Sequence, residues 1–156
     1  MRFENMIFSG LILLILFAAT AEAQDQSINK YIGLDVCKSC HQTQYERYQK
    51  YARKSKSFQS VQKMKKGLTP DEIEGCYHCH TTGYGEPGGF VSLEQTPELK
   101  NAGCEVCHGP GMRHVEEEGN PDLIVREVKL DICEKCHTED RVQSFHYKPI
   151  IYAGSH

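Results

Sequence analysis

All eight cysteines and four of the eight histidines fall into four pentads of one form, Cys-x-x-Cys-His. They are Cys37, Cys40 and His41; Cys76, Cys79 and His80; Cys104, Cys107 and His108; and Cys133, Cys136 and His137. Two thiols three positions apart can both form thioethers to the vinyl groups of one porphyrin, and the imidazole of the next residue is placed to bind its iron. The spacing therefore reads as c-type haem attachment, with cysteine fixing the haem and histidine ligating it. Four pentads imply four covalently bound haem c groups.

Other chemistry is open to a Cys-x-x-Cys unit. Pairs of such units close tetrahedral zinc sites, but these have no need of a histidine after each second cysteine. A redox dithiol or a disulfide framework likewise leaves four identically placed histidines unexplained.

The remaining histidines are His78, His114, His146 and His156. Four irons require four distal ligands, so the count permits complete bis-histidine ligation. His78 lies inside the second pentad, and its side chain should diverge from that of His80 toward a different haem. His114 follows a Gly109-Pro110-Gly111 turn that reverses the chain. His146 stands between Phe145 and Tyr147, and His156 is the last residue, where chains are poorly ordered unless tied down. Methionine is the other common distal ligand, but Met64 fits a helical stripe and Met112 sits in the turn before His114. Histidine ligation without methionine implies low midpoint potentials. No nucleophile or acid-base constellation is evident, so no catalytic residue is assigned.

The elements that position these groups are short. From about Thr43 to Lys66, the residues Tyr45, Tyr48, Tyr51, Phe58, Val61 and Met64 recur mostly at threes, which predicts an amphipathic helix with a haem-facing apolar stripe, broken near Ser55. Gly67 and Pro70 end it. Between Arg47 and Lys66 there are eight basic residues and no acid, a solvated face that also neutralises propionates or a docking patch for an acidic redox partner. Thr69-Pro70-Asp71-Glu72 has the form of a capping box with proline at the first helical position, opening a helix into the second pentad. Thr96-Pro97-Glu98 and Asn120-Pro121-Asp122 are weaker starts, and Gly83 to Gly89 is a loop.

Residues Met6 to Ala19 form an apolar run of 14 residues followed by Ala21-Glu22-Ala23. This reads as a signal peptide over residues 1–23 and a haem domain over 24–156, in a protein that is periplasmic or extracellular. The run is shorter than the roughly 20 residues that span a bilayer, so no membrane span is expected after cleavage. Export agrees with haem attachment, which bacteria complete outside the cytoplasm.

Tryptophan is absent and apolar residues are sparse, so porphyrin faces must replace much of the side-chain core and the apoprotein should be largely unfolded. The formal charge of −3 becomes more negative with ferric haems and their propionates, which excludes nucleic acid as a natural partner.

Several contexts around the pentads resemble the tetrahaem cytochrome c-554 family: Tyr31-Ile32-Gly33, His80-Thr81-Thr82-Gly83-Tyr84 with Gly88-Gly89-Phe90, and Gly103-Cys104-Glu105-Val106-Cys107-His108-Gly109-Pro110-Gly111 with His114. The resemblance runs from about Tyr31 to His137. It implies a mainly α fold with extensive irregular loops, built around four closely stacked, mostly bis-histidine haems, in a secreted electron carrier serving other redox proteins. It also implies that His114 is a distal ligand. One departure stands out. Where the family commonly has a segment resembling His-Ala-x-Ala-Phe after the first haem, this chain reads Lys54-Ser55-Lys56-Ser57-Phe58. The iron concerned must take His146, His156, Lys54 or a ligand from another chain, or stay open. An open iron makes the alternative a haem enzyme acting on a small nitrogen or oxygen species. A ligand from another chain makes it a subunit of a polymeric haem filament.

Overall fold

The computed structural model describes residues 29–138. The expected signal peptide, His146 and His156 lie outside the described residues. Within them the chain is helical, with no strand and long irregular connections.

Seven short helices follow one another: α1 (Leu34–Lys38), α2 (Gln42–Tyr51), α3 (Phe58–Met64), α4 (Pro70–His80), α5 (Glu105–His108), α6 (Met112–Glu116) and α7 (Leu130–Glu134). The helix expected over Thr43 to Lys66 is divided. Ala52 takes extended backbone at φ −83° and ψ 118°, a 3₁₀ turn covers Arg53–Lys56, α3 comes next, and a second 3₁₀ turn at Lys65–Gly67 ends the segment. Tyr48, Phe58 and Val61 are buried by protein, but Tyr51 and Met64 are 59% and 62% exposed, so the six positions do not form one continuous face against the protein.

Helix α4 starts as its sequence requires. The Thr69 hydroxyl accepts from the Glu72 amide, and the Glu72 carboxylate accepts from the Thr69 amide at 2.8 Å, with Pro70 in the first turn. This reciprocal cap satisfies two amides that a helix start otherwise leaves open. Pro97–Leu99 and Pro121–Leu123 form single 3₁₀ turns rather than α-helices. In the second, Asn120 caps the Asp122 amide at 3.1 Å.

The protein core is small and mostly aromatic. Phe58, Val61, Phe90 and Leu99 are buried together, with Tyr31, Ile73, Tyr77 and Tyr84 packed against them. Tyr77 lies at its centre, edge-on to Tyr84 and Phe90 with ring centroids 5.3 Å away in each case. Because Tyr77 is an internal residue of the second pentad, this core fixes that pentad directly.

A loop closes over the core. The Thr82 amide donates to the Leu99 carbonyl and the Phe90 amide donates to the Thr82 carbonyl, both at 2.9 Å. Gly89 lets its two arms meet, since a Cβ there would stand 1.7 Å from the Gly83 carbonyl oxygen. That contact gives the Gly-Tyr and Gly-Gly-Phe context after the second pentad a steric reason.

Candidate functional site

Each pentad occupies about one helical turn. The amides of His41, His108 and His137 donate to the carbonyls of Cys37, Cys104 and Cys133 at 2.9, 3.0 and 2.9 Å, and the second pentad closes α4. Residues three and four apart on a helix share a face, so both thiols and the imidazole of a pentad present to one side. Among the described residues no three or more His, Cys, Asp or Glu side chains converge as they would around a bound metal ion.

Three histidines are oriented through their Nδ1 atoms. That of His80 lies 2.9 Å from the Ser57 carbonyl, that of His108 2.5 Å from the Val125 carbonyl, and that of His114 2.8 Å from the Asn120 carbonyl. A carbonyl only accepts, so Nδ1 carries the proton and donates. The lone pair is left on Nε2, the arrangement that suits a metal-binding imidazole.

His41 and His114 face each other with ring centroids 6.3 Å apart and 18° between ring planes. Two imidazoles bound from opposite sides of one metal, each nitrogen about 2.0 Å from it, have centroids separated by roughly 6 Å. The separation of the pair matches what an iron between two imidazoles requires. The first and third pentads meet nearby, where a hydrogen bond with Cys104 holds the Cys37 thiol below its ordinary value.

Glu105, an internal residue of the third pentad, is the polar hub of this region. Its buried carboxylate accepts from the Ile32 amide at 3.0 and 3.1 Å, the Gly33 amide at 2.8 Å and the Gly111 amide at 2.8 Å. Burial pushes the carboxyl up, against the pull of those amides. It ties the stretch of chain before the first pentad to the turn before His114, and so sets the approach of His114 to His41. Sequence reading did not single it out. The signal available was an acid inside a pentad followed by a Gly-Pro-Gly turn with amides to offer.

Ser57 does the same for the second and third pentads. Its hydroxyl donates to the His80 carbonyl at 2.8 Å and accepts from the buried Ala102 amide at 2.8 Å, while Asn101 accepts from the Phe58 amide at 3.1 Å. Tyr48 donates to the Ala102 carbonyl. Burial, followed by the Cys107 and Cys104 thiols, pushes its phenol strongly upward.

The fourth pentad lies against the second, with the Cys136 thiol 4.0 Å from the His78 carbonyl. The His78 residue itself is exposed. Lys54 is partly buried, and its charge reaches this region. Burial pushes the Cys107 and Cys133 thiols up and the Lys54 ammonium draws both down. Burial and then Lys54 lower His137. With haem attached these sulfurs are thioethers with no proton to lose, and what persists is the position of Lys54.

The chain is similar to known cytochromes in sequence and in fold. The family described as cytochrome c554 and c-prime matches residues 36–109. Cytochrome c-554 of Nitrosomonas europaea is 32% identical over 116 residues, covering 68% of this chain and 49% of the relative. The chain thus spans about half the length of the curated relative it matches. The solved structure of reduced cytochrome c554 from the same organism superposes with a TM-score of 0.57 at 22% identity, covering 80% of this chain and 82% of that one. It shares the mainly helical fold.

Proposed function

We propose that this chain of the tetrahaem cytochrome c-554 family carries four covalent haem c groups on its four pentads and works as an electron carrier between redox proteins. Haem supplies one-electron redox chemistry at iron; the chain supplies attachment, ligation and spacing. In this reading Cys37, Cys40, Cys76, Cys79, Cys104, Cys107, Cys133 and Cys136 bind the porphyrins, and His41, His80, His108 and His137 are the proximal ligands. His114 is the distal ligand opposite His41. Its facing distance of 6.3 Å is the observation that carries the proposal. The carbonyls of Ser57, Val125 and Asn120 hold three imidazoles in the tautomer that binds metal. Packing the first pentad against the third, and the fourth against the second, keeps the haem sites close enough to exchange electrons within one molecule.

Residues 1–23 are a signal peptide in this reading, and the carrier works in the periplasm or outside the cell. Among the described residues no helix is long and apolar enough to cross a membrane.

The test is the intact mass of the exported protein together with a haem count from its pyridine haemochrome spectrum. Four haems per chain beginning at Gln24 support the proposal. A chain with fewer haems, or one holding zinc, overturns it.

A further inference from the structure

His108 and His114 serve different irons in the four-haem reading, yet one short stretch of chain, Asn120 to Val125, holds both rings. At its near end the Asn120 carbonyl accepts from His114 Nδ1 at 2.8 Å, and at its far end the Val125 carbonyl accepts from His108 Nδ1 at 2.5 Å. The Val125 amide also donates to the His108 carbonyl at 2.9 Å, so the far end grips its histidine by ring and backbone together.

Local rules build this strap. Glu118 and Gly119 take φ 55° and 85°, and the Gly119 amide donates to the His114 carbonyl at 2.8 Å. The left-handed pair reverses the chain after α6, and the next carbonyl, that of Asn120, falls on the His114 ring. The Asn120 side chain accepts from the Asp122 amide at 3.1 Å and donates to the Glu117 carboxylate at 3.2 Å. It thereby fixes the 3₁₀ turn Pro121–Leu123 against the end of α6. Ile124 is extended, at φ −145° and ψ 150°, and carries Val125 across to His108.

A carbonyl that takes an imidazole N–H sets the plane of the ring and raises its basicity toward a metal. Hydrogen bonding of this kind is one of the levers a protein has on a haem potential. Two such carbonyls joined through a proline and a capped turn move as one unit.

Resting on the four-haem reading, we propose that Asn120–Val125 is a positioning strap shared by two irons. It orients the distal ligand of the first haem, His114, and the proximal ligand of the third, His108, so that the two haems are tuned together. Asn120 is its positioning residue, acting through the two histidines rather than on either iron.

The experiment is proton NMR of the ferric holoprotein, whose haem methyl resonances report ligand orientation haem by haem, with midpoints and haem content measured on each sample. The first haem is the one that His114→Gly turns high-spin. Asn120→Ala removes the cap and the Glu117 contact but leaves both carbonyls in the chain. At four haems per chain it should shift the methyl resonances of two haems, the first among them, and raise their midpoints, because both imidazoles lose basicity. Val125→Pro deletes the amide bond to His108 at the far end, and should still move the resonances of the first haem. Resonances shifted by Asn120→Ala in no haem, in one only or in all four overturn the shared strap, as does a first haem indifferent to Val125→Pro. If Val125→Pro loses haem, Asn120→Ala decides alone. A wild type with fewer than four haems instead defeats the reading on which the strap rests.

Discussion

Ser57 grips His80 at both ends of the residue: the serine carbonyl takes the ring Nδ1–H at 2.9 Å, and the serine hydroxyl donates to the histidine carbonyl at 2.8 Å. The same hydroxyl accepts from the Ala102 amide, so one small side chain aligns the histidine of the second pentad and anchors the approach to the next. In Ser57→Ala the ring bond to the backbone survives, but the buried Ala102 amide loses its acceptor. The expected loss is about 1–3 kcal/mol, read as a lower urea midpoint of the holoprotein at unchanged haem content. A midpoint equal to wild type counts against the clamp.

Glu105→Gln tests the hub at the third pentad. Glutamine keeps the shape but offers one acceptor oxygen, and its amide group must face at least one of the amides of Ile32, Gly33 or Gly111. Two donors then oppose each other in a buried site. A destabilisation of about 2 kcal/mol is expected, together with a perturbed spectrum of the first haem because the approach of His114 is loosened. Stability and spectrum both matching wild type contradict this role.

Tyr48 makes the fold sensitive to alkali. Its folded pKa lies well above the ordinary tyrosine value of about 10, chiefly through burial, so the folded state keeps a proton that the unfolded chain releases. Its contribution is whole below the unfolded value and is lost as pH rises above it. Denaturant midpoints measured from pH 8 to pH 11 should fall more steeply for wild type than for Tyr48→Phe. Parallel curves mean that Tyr48 is not the group responsible.

Gly89→Ala places a methyl where the Gly83 carbonyl already stands. The loop that closes over Tyr77 and Phe90 cannot form without moving, and a loss on the order of 4 kcal/mol is expected. Protease resistance of the holoprotein is the readout. Alanine should expose the segment after the second pentad to cleavage, while a resistant variant shows that the loop can part at little cost.

The parts of the molecule legible in the chain were those governed by local rules. The pentads, the Thr69 capping box, the break near Ser55 and the Gly83 to Gly89 loop each depend on residues a few positions apart. Contacts between distant segments were not legible in the same way. Glu105 receives amides from more than 70 residues earlier, and Ser57 meets Ala102 only because α3 and α4 fold back on the aromatic core. The six-residue stripe is covered by protein only in part. Tyr51 and Met64 are the last residues of α2 and α3, beyond the reach of the core that buries Tyr48 on the one helix and Phe58 and Val61 on the other.

In the proposed function the facing of His41 and His114 marks an iron site with two imidazoles, and the electron-carrier reading depends on it more than on any other contact. Electron paramagnetic resonance on the ferric holoprotein of His114→Gly measures it. At four haems per chain, one haem should become high-spin, and added imidazole should return it to low spin. Spin populations identical to wild type, with haem content intact, contradict the placement of His114 opposite His41.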